Sequence, residues 1–363
     1  MLRLLAIMFF LLFIVYHEAG SQNVVTPQHG SMSIDTDFMQ MRHNGIPNFR
    51  YHYDDFLQYT PGVALLGMKA FSVPGMTKVG RFAVSTAFST AIMVAVVNGV
   101  KYTVKRLRPD FSTHNSFPSG HTATAFMTAT LLHKEYGWKY PWISILGYTA
   151  AGITGISRVL NNRHWVSDVV AGAATGIGSV HLGYYLAGLI FKDRYFREEW
   201  YDEPFVYNPG ERGYWSAEMD CGRRFILGSL KDKNTSMLPY RGAKAAVGLE
   251  IPVVYMVGVS VDAGLSSLIF RDNTSFNVYS ALGGVYWSIP FARVFEFQAK
   301  AAVGYAWHKL GRGLDFLTQI SINLFTGHNF RIKGFAEYET FRFSGIHPML
   351  NSFVVGWATG FSW

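Results

Sequence analysis

The chain is poor in charge and nearly devoid of cysteine. Only 15% of its 363 residues are charged, whereas soluble domains usually carry about 25%, so the shortage indicates a membrane-associated surface. The single cysteine, Cys221, excludes an intrachain disulfide and a cysteine-based zinc site. There is no Lys/Arg run and no base-reading motif, which argues against nucleic-acid binding. The net charge of +8 instead suits an anionic substrate or an anionic lipid.

The beginning of the chain has the pattern of a secretory signal peptide. Arg3 gives a positive start, residues 4–15 form an apolar core that is short for a bilayer span, and residues 19–21 are small. We therefore expect residues 1–21 to be a signal peptide, with an uncleaved anchor as the alternative. The mature protein is then expected to work outside the cytoplasm.

The first half of the chain has helical character. Apolar stretches rich in Ala, Gly and Met occupy residues 61–73, 82–100, 122–133, 141–156 and 167–192. Their lengths favour helices over strands. The stretches at 82–100 and 169–191 are long enough to cross a membrane, but their small residues also suit close packing in a large soluble bundle. The sequence leaves both alternatives open.

From about residue 221 the hydrophobic pattern has a period of two, which predicts β-strands. Eight segments show it: 222–230, 241–251, 253–264, 276–287, 294–307, 316–325, 330–343 and 352–363. Short and longer connections alternate between them, and the chain ends on aromatic residues, as in bacterial outer-membrane barrels. Eight strands leave an interior filled by side chains, so we predict an anchor rather than a pore. A soluble β-domain is the alternative.

The predicted architecture is a multidomain α and β protein: an all-α helical bundle followed by an antiparallel, eight-stranded β-barrel. The predicted parts are a signal peptide (1–21), an N-terminal extension (22–50), a helical domain (51–192), a connector (193–220) and the barrel (221–363). A helical domain in the inner membrane and a barrel in the outer membrane do not easily share one chain. We therefore expect a periplasmic helical domain anchored in the outer membrane. The alternative is an inner-membrane protein whose active site faces the periplasm.

Three short segments of the helical half, 101–109, 118–121 and 157–168, carry the candidate chemistry. They supply three cations, two imidazoles, a hydroxyl, a glycine and a carboxylate: Lys101, Arg108, Ser119, Gly120, His121, Arg158, His164 and Asp168. Any one of these residues alone is more often structural than functional. Together they suit phosphoryl transfer through a phosphohistidine, with neither metal nor cofactor.

The spacing of these residues suggests their roles. Positions four apart share one face of a helix, so Asp168 can hold one nitrogen of His164 and leave the other free to attack phosphorus. Residues 118–120 predict a helix start whose amide groups favour an anion, and Gly120 lets a phosphate approach closely. His121, at the same start, is placed to protonate a leaving alkoxide.

The cations have a separate predicted task. Lys101, Arg108 and Arg158 would balance the equatorial oxygens of a phosphoryl transition state, and Ser119 would add a hydroxyl donor. Lys105 and Arg106 are predicted to be surface charges or contacts to lipid headgroups.

The three segments resemble the type 2 phosphatidic acid phosphatase (PAP2) superfamily, which also includes bacterial acid phosphatases and vanadium haloperoxidases. The family pattern is Lys-x6-Arg-Pro, then Pro-Ser-Gly-His, then Ser-Arg-x5-His-x3-Asp, and residues 101–168 fill every fixed position in order. The resemblance covers roughly residues 50–192.

The resemblance implies a phosphatase whose substrate is a phosphate or diphosphate on a lipid. Outer-membrane placement makes lipid A the leading candidate, and phosphatidylglycerol phosphate, phosphatidic acid and undecaprenyl diphosphate are the others. One alternative is a vanadate-dependent haloperoxidase, because vanadate mimics phosphate in the same pocket. The other is a non-catalytic outer-membrane protein that binds phospholipid.

Overall fold

The computed structural model describes residues 34–192, 215–227, 230–231, 236–237, 239–254, 256–270, 275–292, 294–308, 311–325, 330–343 and 350–362. The predicted signal peptide and most of the predicted connector lie outside these residues. The chain divides into two compact units, of which one contains Ile46–Phe196 and also Asp35, and the other contains Thr36–Gly45 and Arg197–Trp363. We refer to them as the helical unit and the barrel unit.

The described part of the first half is helical, as predicted. Its α-helices are α1 (Ile34–Gly45), α2 (Asp54–Leu57), α3 (Thr60–Ala70), α4 (Val79–Val104), α5 (Gly120–Leu132), α6 (Pro141–Leu160) and α7 (Val166–Phe191). A π-helical turn, His133–Gly137, extends α5. Proline stands in the first turn of both α3 and α6, where its missing N–H leaves no helical hydrogen bond unmade.

Helix α7 is central to the helical unit and packs against both α4 and α5. Its glycines allow this close approach. A Cβ atom at Gly172 would lie 2.5 Å from the carbonyl oxygen of Ser119, and one at Gly176 would lie 2.3 Å from that of Ala123. A side chain at either position would force α5 and α7 apart, so these two glycines set the distance between the second and third sequence segments.

Three of the helices, α4, α6 and α7, are long and apolar enough to cross a membrane. Large apolar side chains project from α4 and α6 without cover, including Val94, Trp142 and Leu146. Such an extended apolar surface is unusual on a soluble domain and marks a site of membrane or protein contact.

The described part of the second half is built from strands. They are β1 (Ser216–Leu227), β2 (Leu230–Lys231), β3 (Ser236–Met237), β4 (Pro239–Val254), β5 (Val257–Phe270), β6 (Ser275–Ala292), β7 (Phe295–His308), β8 (Gly311–Phe325), β9 (Phe330–Phe343) and β10 (Leu350–Ser362). Strands β2 and β3 form a separate hairpin, and the other eight form a closed antiparallel barrel. Closure occurs where β1 pairs with both β10 and β4. The predicted fold class is therefore confirmed.

Two details of the strand prediction are wrong. The first strand begins at Ser216 rather than at residue 222, because the alternation of buried and exposed side chains already starts there. The connection between the predicted segments 294–307 and 316–325, expected to be long, is short, since β7 continues to His308 and β8 begins at Gly311.

The barrel is polar inside and apolar outside. Along β8 the buried side chains include Asp315, Gln319 and Asn323, whereas Phe316 and Ile320 between them are exposed. A soluble barrel has the opposite arrangement, with apolar side chains buried and polar ones in water. The arrangement here is that of a barrel whose outer wall contacts lipid, and the soluble alternative does not fit it.

Side chains fill the barrel interior. Most of its length is occupied by buried ion pairs, such as Arg331 with Glu218 at 2.6 Å and Lys300 with Asp262 at 2.9 Å. At the end where β5, β7 and β9 finish, an apolar cluster that includes Leu268, Phe341 and Phe343 lies inside the wall. This packing supports the predicted anchor.

Within the barrel unit, the part of α1 that starts at Thr36 lies against the strands. Asp37 is fully buried and forms ion pairs with Arg241 at 3.2 Å and Arg223 at 3.6 Å. Asn277 donates a hydrogen bond to the carbonyl oxygen of Met41 at 2.9 Å. Arg223 alternates along β1 with the inward-facing Arg224, so the part of α1 that belongs to the barrel unit lies on the outer face of the wall.

Candidate active site

His164 and Asp168 lie together at the start of α7. Nδ1 of His164 is 3.5 Å from Oδ2 of Asp168, and both side chains are buried. The sequence prediction placed both residues on one helical face, which is wrong, because His164 belongs to the turn before α7 and Trp165 is the N-cap. The carboxylate of Asp168 reaches back over the helix start, where it also accepts a hydrogen bond from the Trp165 amide at 2.9 Å.

The carboxylate of Asp168 is held on several sides. Ser116 donates a short hydrogen bond to Oδ2, and Nη1 of Arg106 donates one to Oδ1 at 2.8 Å. The carbonyl oxygen of Asp168 in turn accepts the Ser119 amide at 2.9 Å. A buried carboxylate with this many donors is fixed in position. Asp168 therefore joins the second and third sequence segments and orients the imidazole of His164.

Ser119 and Gly120 form the start of α5, as predicted. Ser119 is the N-cap residue, and its hydroxyl accepts hydrogen bonds from the Thr122 amide at 3.4 Å and the Thr122 hydroxyl at 2.9 Å. Its own hydroxyl proton is not used in these two bonds. A Cβ at Gly120 would lie 3.7 Å from Nζ of Lys101, so the helix start and the Lys101 amine face one another.

The three predicted cations come from separate parts of the helical unit. Lys101 lies in the last turn of α4, Arg108 in the loop after it, and Arg158 in the last turn of α6. The charges of Arg108 and Arg158 act on Lys101 and also on His164. Arg108 and Arg158 thus place positive charge near His164, which is the electrostatic setting that a phosphoryl group requires.

Two acidic residues at this site were not predicted. Asp54 and Asp55 form the first turn of α2, and Asp54 binds Nη1 of Arg158 at 2.7 Å. Oδ1 of Asp55 lies 3.0 Å from Nε2 of His121 and 3.4 Å from Nη1 of Arg158. The one available signal in the sequence was that two carboxylates are adjacent in a chain of low charge. The helix that carries them has only four residues, which is too short to show a hydrophobic period.

Arg106 is the clearest failure of the sequence interpretation. It was predicted to be a surface charge, but it is buried, with 4% of its surface exposed. Nη1 of Arg106 binds Asp168, Nη2 binds Oδ2 of Asp35 at 2.7 Å, and the guanidinium lies over the Trp165 ring at 5.3 Å. Nothing local in the segment 101–109 separates Arg106 from Lys105, since the partners of Arg106 come from distant parts of the chain.

Burial controls the protonation of both imidazoles. It lowers the pKa of His164 below the ordinary 6.5, although the hydrogen bond and charge of Asp168 act in the opposite direction. Burial, followed by the charge of Arg158, also lowers the pKa of His121, and Asp55 opposes the change. The lowered pKa favours an uncharged His164 at neutral pH, as a nucleophilic His164 requires.

Among the described residues, no cluster of three or more His, Cys, Asp or Glu side chains is arranged to hold a metal ion. The groups around His164 are instead guanidinium, ammonium and hydroxyl donors, and these bind anions.

A family comparison agrees with this geometry. Residues 82–191 match the model of the PAP2 superfamily, and this segment contains all eight predicted site residues. The matched segment lies within the helical unit. Asp35, Asp54 and Asp55 lie before the segment that matches the PAP2 model, so part of the site comes from outside it.

Two curated relatives of the chain are lipid A phosphatases. The chain is 48% identical over 187 residues to the lipid A 1-phosphatase of Porphyromonas gingivalis, covering 49% of this chain and 42% of that protein. It is 28% identical over 156 residues to the lipid A 4'-phosphatase of Helicobacter pylori, covering 40% of this chain and 71% of that protein. The chain therefore spans less than half the length of the first relative.

Two solved structures are similar to parts of the chain. LpxE of Aquifex aeolicus is 20% identical and corresponds to 42% of this chain and 96% of its own, with a TM-score of 0.34. Neisserial surface protein A is 10% identical and corresponds to 41% of this chain and 99% of its own, also with a TM-score of 0.34. At these TM-scores the likeness carries no argument about function.

Proposed function

We propose that this protein is a lipid A phosphatase of the bacterial outer membrane. The observation that carries the proposal is the arrangement of His164: its Nδ1 faces the buried Asp168, and the cations Arg108 and Arg158 act on its imidazole. This combines an oriented nucleophile with charge that stabilises a phosphoryl group. His121 in the same site supplies an acid and a base.

In the first step, Nε2 of His164 attacks phosphorus while the bond from phosphorus to the lipid oxygen breaks. His121 gives its proton to that oxygen, so the lipid leaves as an alcohol. Asp168 stabilises the positive charge that develops on the His164 ring. Lys101, Arg108 and Arg158, with the Ser119 hydroxyl and the amides at Gly120, stabilise the negative charge on the transferred oxygens.

In the second step, water attacks phosphohistidine. His121, now neutral, accepts a proton from the water, and the bond between Nε2 of His164 and phosphorus breaks. Inorganic phosphate leaves, and both imidazoles return to their starting states. The charge stabilisation comes from protein cations throughout, so we expect activity in the presence of EDTA.

The surroundings of the site suit an amphiphilic substrate. Exposed apolar side chains stand beside the catalytic residues in sequence: Phe56 follows Asp55, Tyr102 follows Lys101, and Phe111 belongs to the loop of Arg108. A phosphate on a lipid would place its charge among the cations and its acyl chains along these side chains. The names of the two relatives favour lipid A over the other lipid phosphates, and the 48% relative favours its 1-phosphate.

The barrel supports placement in an outer membrane. Its apolar outer wall suits lipid, and closed barrels of this kind are typical of bacterial outer membranes. Its filled interior suits anchoring. In this proposal the site of the helical unit faces the periplasm and acts on lipid in the same envelope.

The first test is phosphate release by the full chain, purified in detergent, from lipid A, phosphatidic acid, phosphatidylglycerol phosphate and undecaprenyl diphosphate in EDTA. Mass spectrometry of the lipid A product identifies the phosphate removed. His164→Ala should abolish release, whereas the matched variant His43→Ala, at an exposed histidine of α1, should keep it. Rapid quenching with ³²P-labelled substrate should leave acid-labile label on the wild type and on His43→Ala, and none on His164→Ala.

Other outcomes would replace the proposal. Release from a different lipid would change the substrate and keep the mechanism. No release, together with vanadate-dependent bromination, would indicate a haloperoxidase. No release, with lipid binding that His164→Ala leaves intact, would indicate a non-catalytic binding protein.

A further inference from the structure

Asp35, at the start of α1, makes three hydrogen bonds near the catalytic pair. Oδ2 of Asp35 accepts hydrogen bonds from Nη2 of Arg106 at 2.7 Å and from the Ser167 hydroxyl at 2.5 Å. Oδ1 accepts one from the Ser167 amide at 2.9 Å. The carboxylate therefore holds both Arg106 and the first turn of α7, the turn that also contains Asp168.

Arg106 lies between two carboxylates. One guanidinium nitrogen, Nη1, binds Asp168 at 2.8 Å and Ser167 at 2.6 Å, and the other, Nη2, binds Asp35. Asp35 is 2% exposed and Asp168 is fully buried. The result is an ordered series of charges, Asp35, Arg106, Asp168 and then His164, in which each charged group touches the next.

A lone arginine beside Asp168 would have a different effect. With one carboxylate partner, the whole positive charge of Arg106 would attract Asp168 and reduce its ability to stabilise a protonated His164. A second carboxylate on the far side balances that charge. It also fixes the guanidinium plane, and thereby the orientation of Asp168.

We propose that Asp35 is a positioning residue of the phosphatase: through Arg106 and Ser167 it orients Asp168 and sets the basicity of His164. Asp35 lies outside the segment that matches the family model, so the N-terminal segment completes the catalytic site of this chain. The expected effect of Asp35 on turnover rests on the proposed function. Its effect on the basicity of His164 can be measured without any turnover.

The test uses the full chain in detergent with ¹³C-labelled histidine, and NMR to titrate the His164 ring. The chain has 12 histidines, and comparison with His164→Gln assigns the signal. In Asp35→Asn, loss of the negative charge should shift the His164 titration to lower pH. In Asp35→Glu, which keeps the charge, the titration should lie nearer to that of the wild type.

Asp37→Asn is the matched control. It makes the same chemical change at a buried carboxylate two residues further along α1, where the partners are Arg223 and Arg241 of the barrel unit. Its His164 titration should match the wild type. If Asp35→Asn does not fold, Ser167→Ala removes the hydroxyl bridge to Asp35 with every charge kept, and it should shift the His164 titration in the same direction.

Steady-state kinetics distinguish a role of Asp35 in positioning the catalytic groups from a role in substrate binding. Asp35→Asn should lower kcat about 10-fold to 100-fold, the range found for groups that orient ligating histidines through a hydrogen bond, with KM unchanged. Unaltered His164 titration in a folded Asp35→Asn protein, or in Ser167→Ala, would overturn the inference. A wild type that releases no phosphate would defeat the proposed function alone, because the NMR comparison would still report on Asp35.

Discussion

Oδ1 of Asp55 lies 3.0 Å from Nε2 of His121. The imidazole proposed as the general acid therefore has its own carboxylate partner, as His164 has Asp168. Asp55 is half exposed and Asp168 is buried. The two pairs thus occupy different environments, which suits an acid that must exchange protons with water and a nucleophile that must not be protonated.

The first prediction concerns Asp55→Asn. Asp55 raises the pKa of His121 against burial and the charge of Arg158, so its removal should lower that pKa further. As an acid, His121 must be protonated, and the alkaline limb of the kcat/KM profile should therefore move to lower pH. The acid limb, which reports His164, should stay in place and serves as the internal control. An unmoved alkaline limb would mean that another group is the acid.

The second prediction concerns Arg106→Met. The substitution leaves Asp35 and Asp168 buried without their shared cation, and loss of one partner of a buried ion pair typically costs about 3–5 kcal/mol. We expect the helical unit of the variant to unfold at a lower temperature than that of the wild type. The measurement is the temperature at which a protease begins to cleave within residues 46–192. Lys105→Met, at the neighbouring basic residue, is the matched control. Equal effects of the two substitutions would contradict the buried role of Arg106.

The third prediction concerns the contact between α5 and α7. Gly172→Ala would place a methyl group 2.5 Å from the carbonyl oxygen of Ser119, so the start of α5 must move away from Asp168. Misplacement by about 1 Å can reduce catalysis about 100-fold, and phosphate release should fall accordingly. Gly99→Ala, on α4, meets no atom within 4 Å and should leave release unchanged. Similar losses in both variants would show that helix spacing is not the cause.

The fourth prediction concerns the outer wall of the barrel. Val247 and Val253 are exposed on the same face of β4, the first in its middle and the second near its end. In lipid, arginine costs about 2–4 kcal/mol at the bilayer midplane and about 0–1 near the interface. Val247→Arg should therefore destabilise the barrel more than Val253→Arg, as measured by urea unfolding in lipid vesicles. Equal stability would argue against a membrane-spanning wall.

The sequence by itself determined the chemical inventory and the two classes of structure. Lys101, Arg108, His121, Arg158 and His164 were predicted as candidate site residues because their spacing resembles the PAP2 pattern. The change of hydrophobic period near residue 221 likewise distinguishes helices from strands, since period follows directly from backbone geometry.

Only the tertiary structure decided which other residues support these groups. The hydrogen bonds that connect Asp35, Asp55 and Arg106 to the site span 61–132 positions of the chain, and no local pattern encodes a partner at that distance. The turn at His164 was likewise missed, because spacing alone cannot distinguish a shared helical face from a side chain that caps a helix. The stability of a buried charge depends on partners that folding brings to it, and these partners cannot be read from the sequence. The reactivity of a candidate nucleophile depends on its own side chain, which the sequence shows directly.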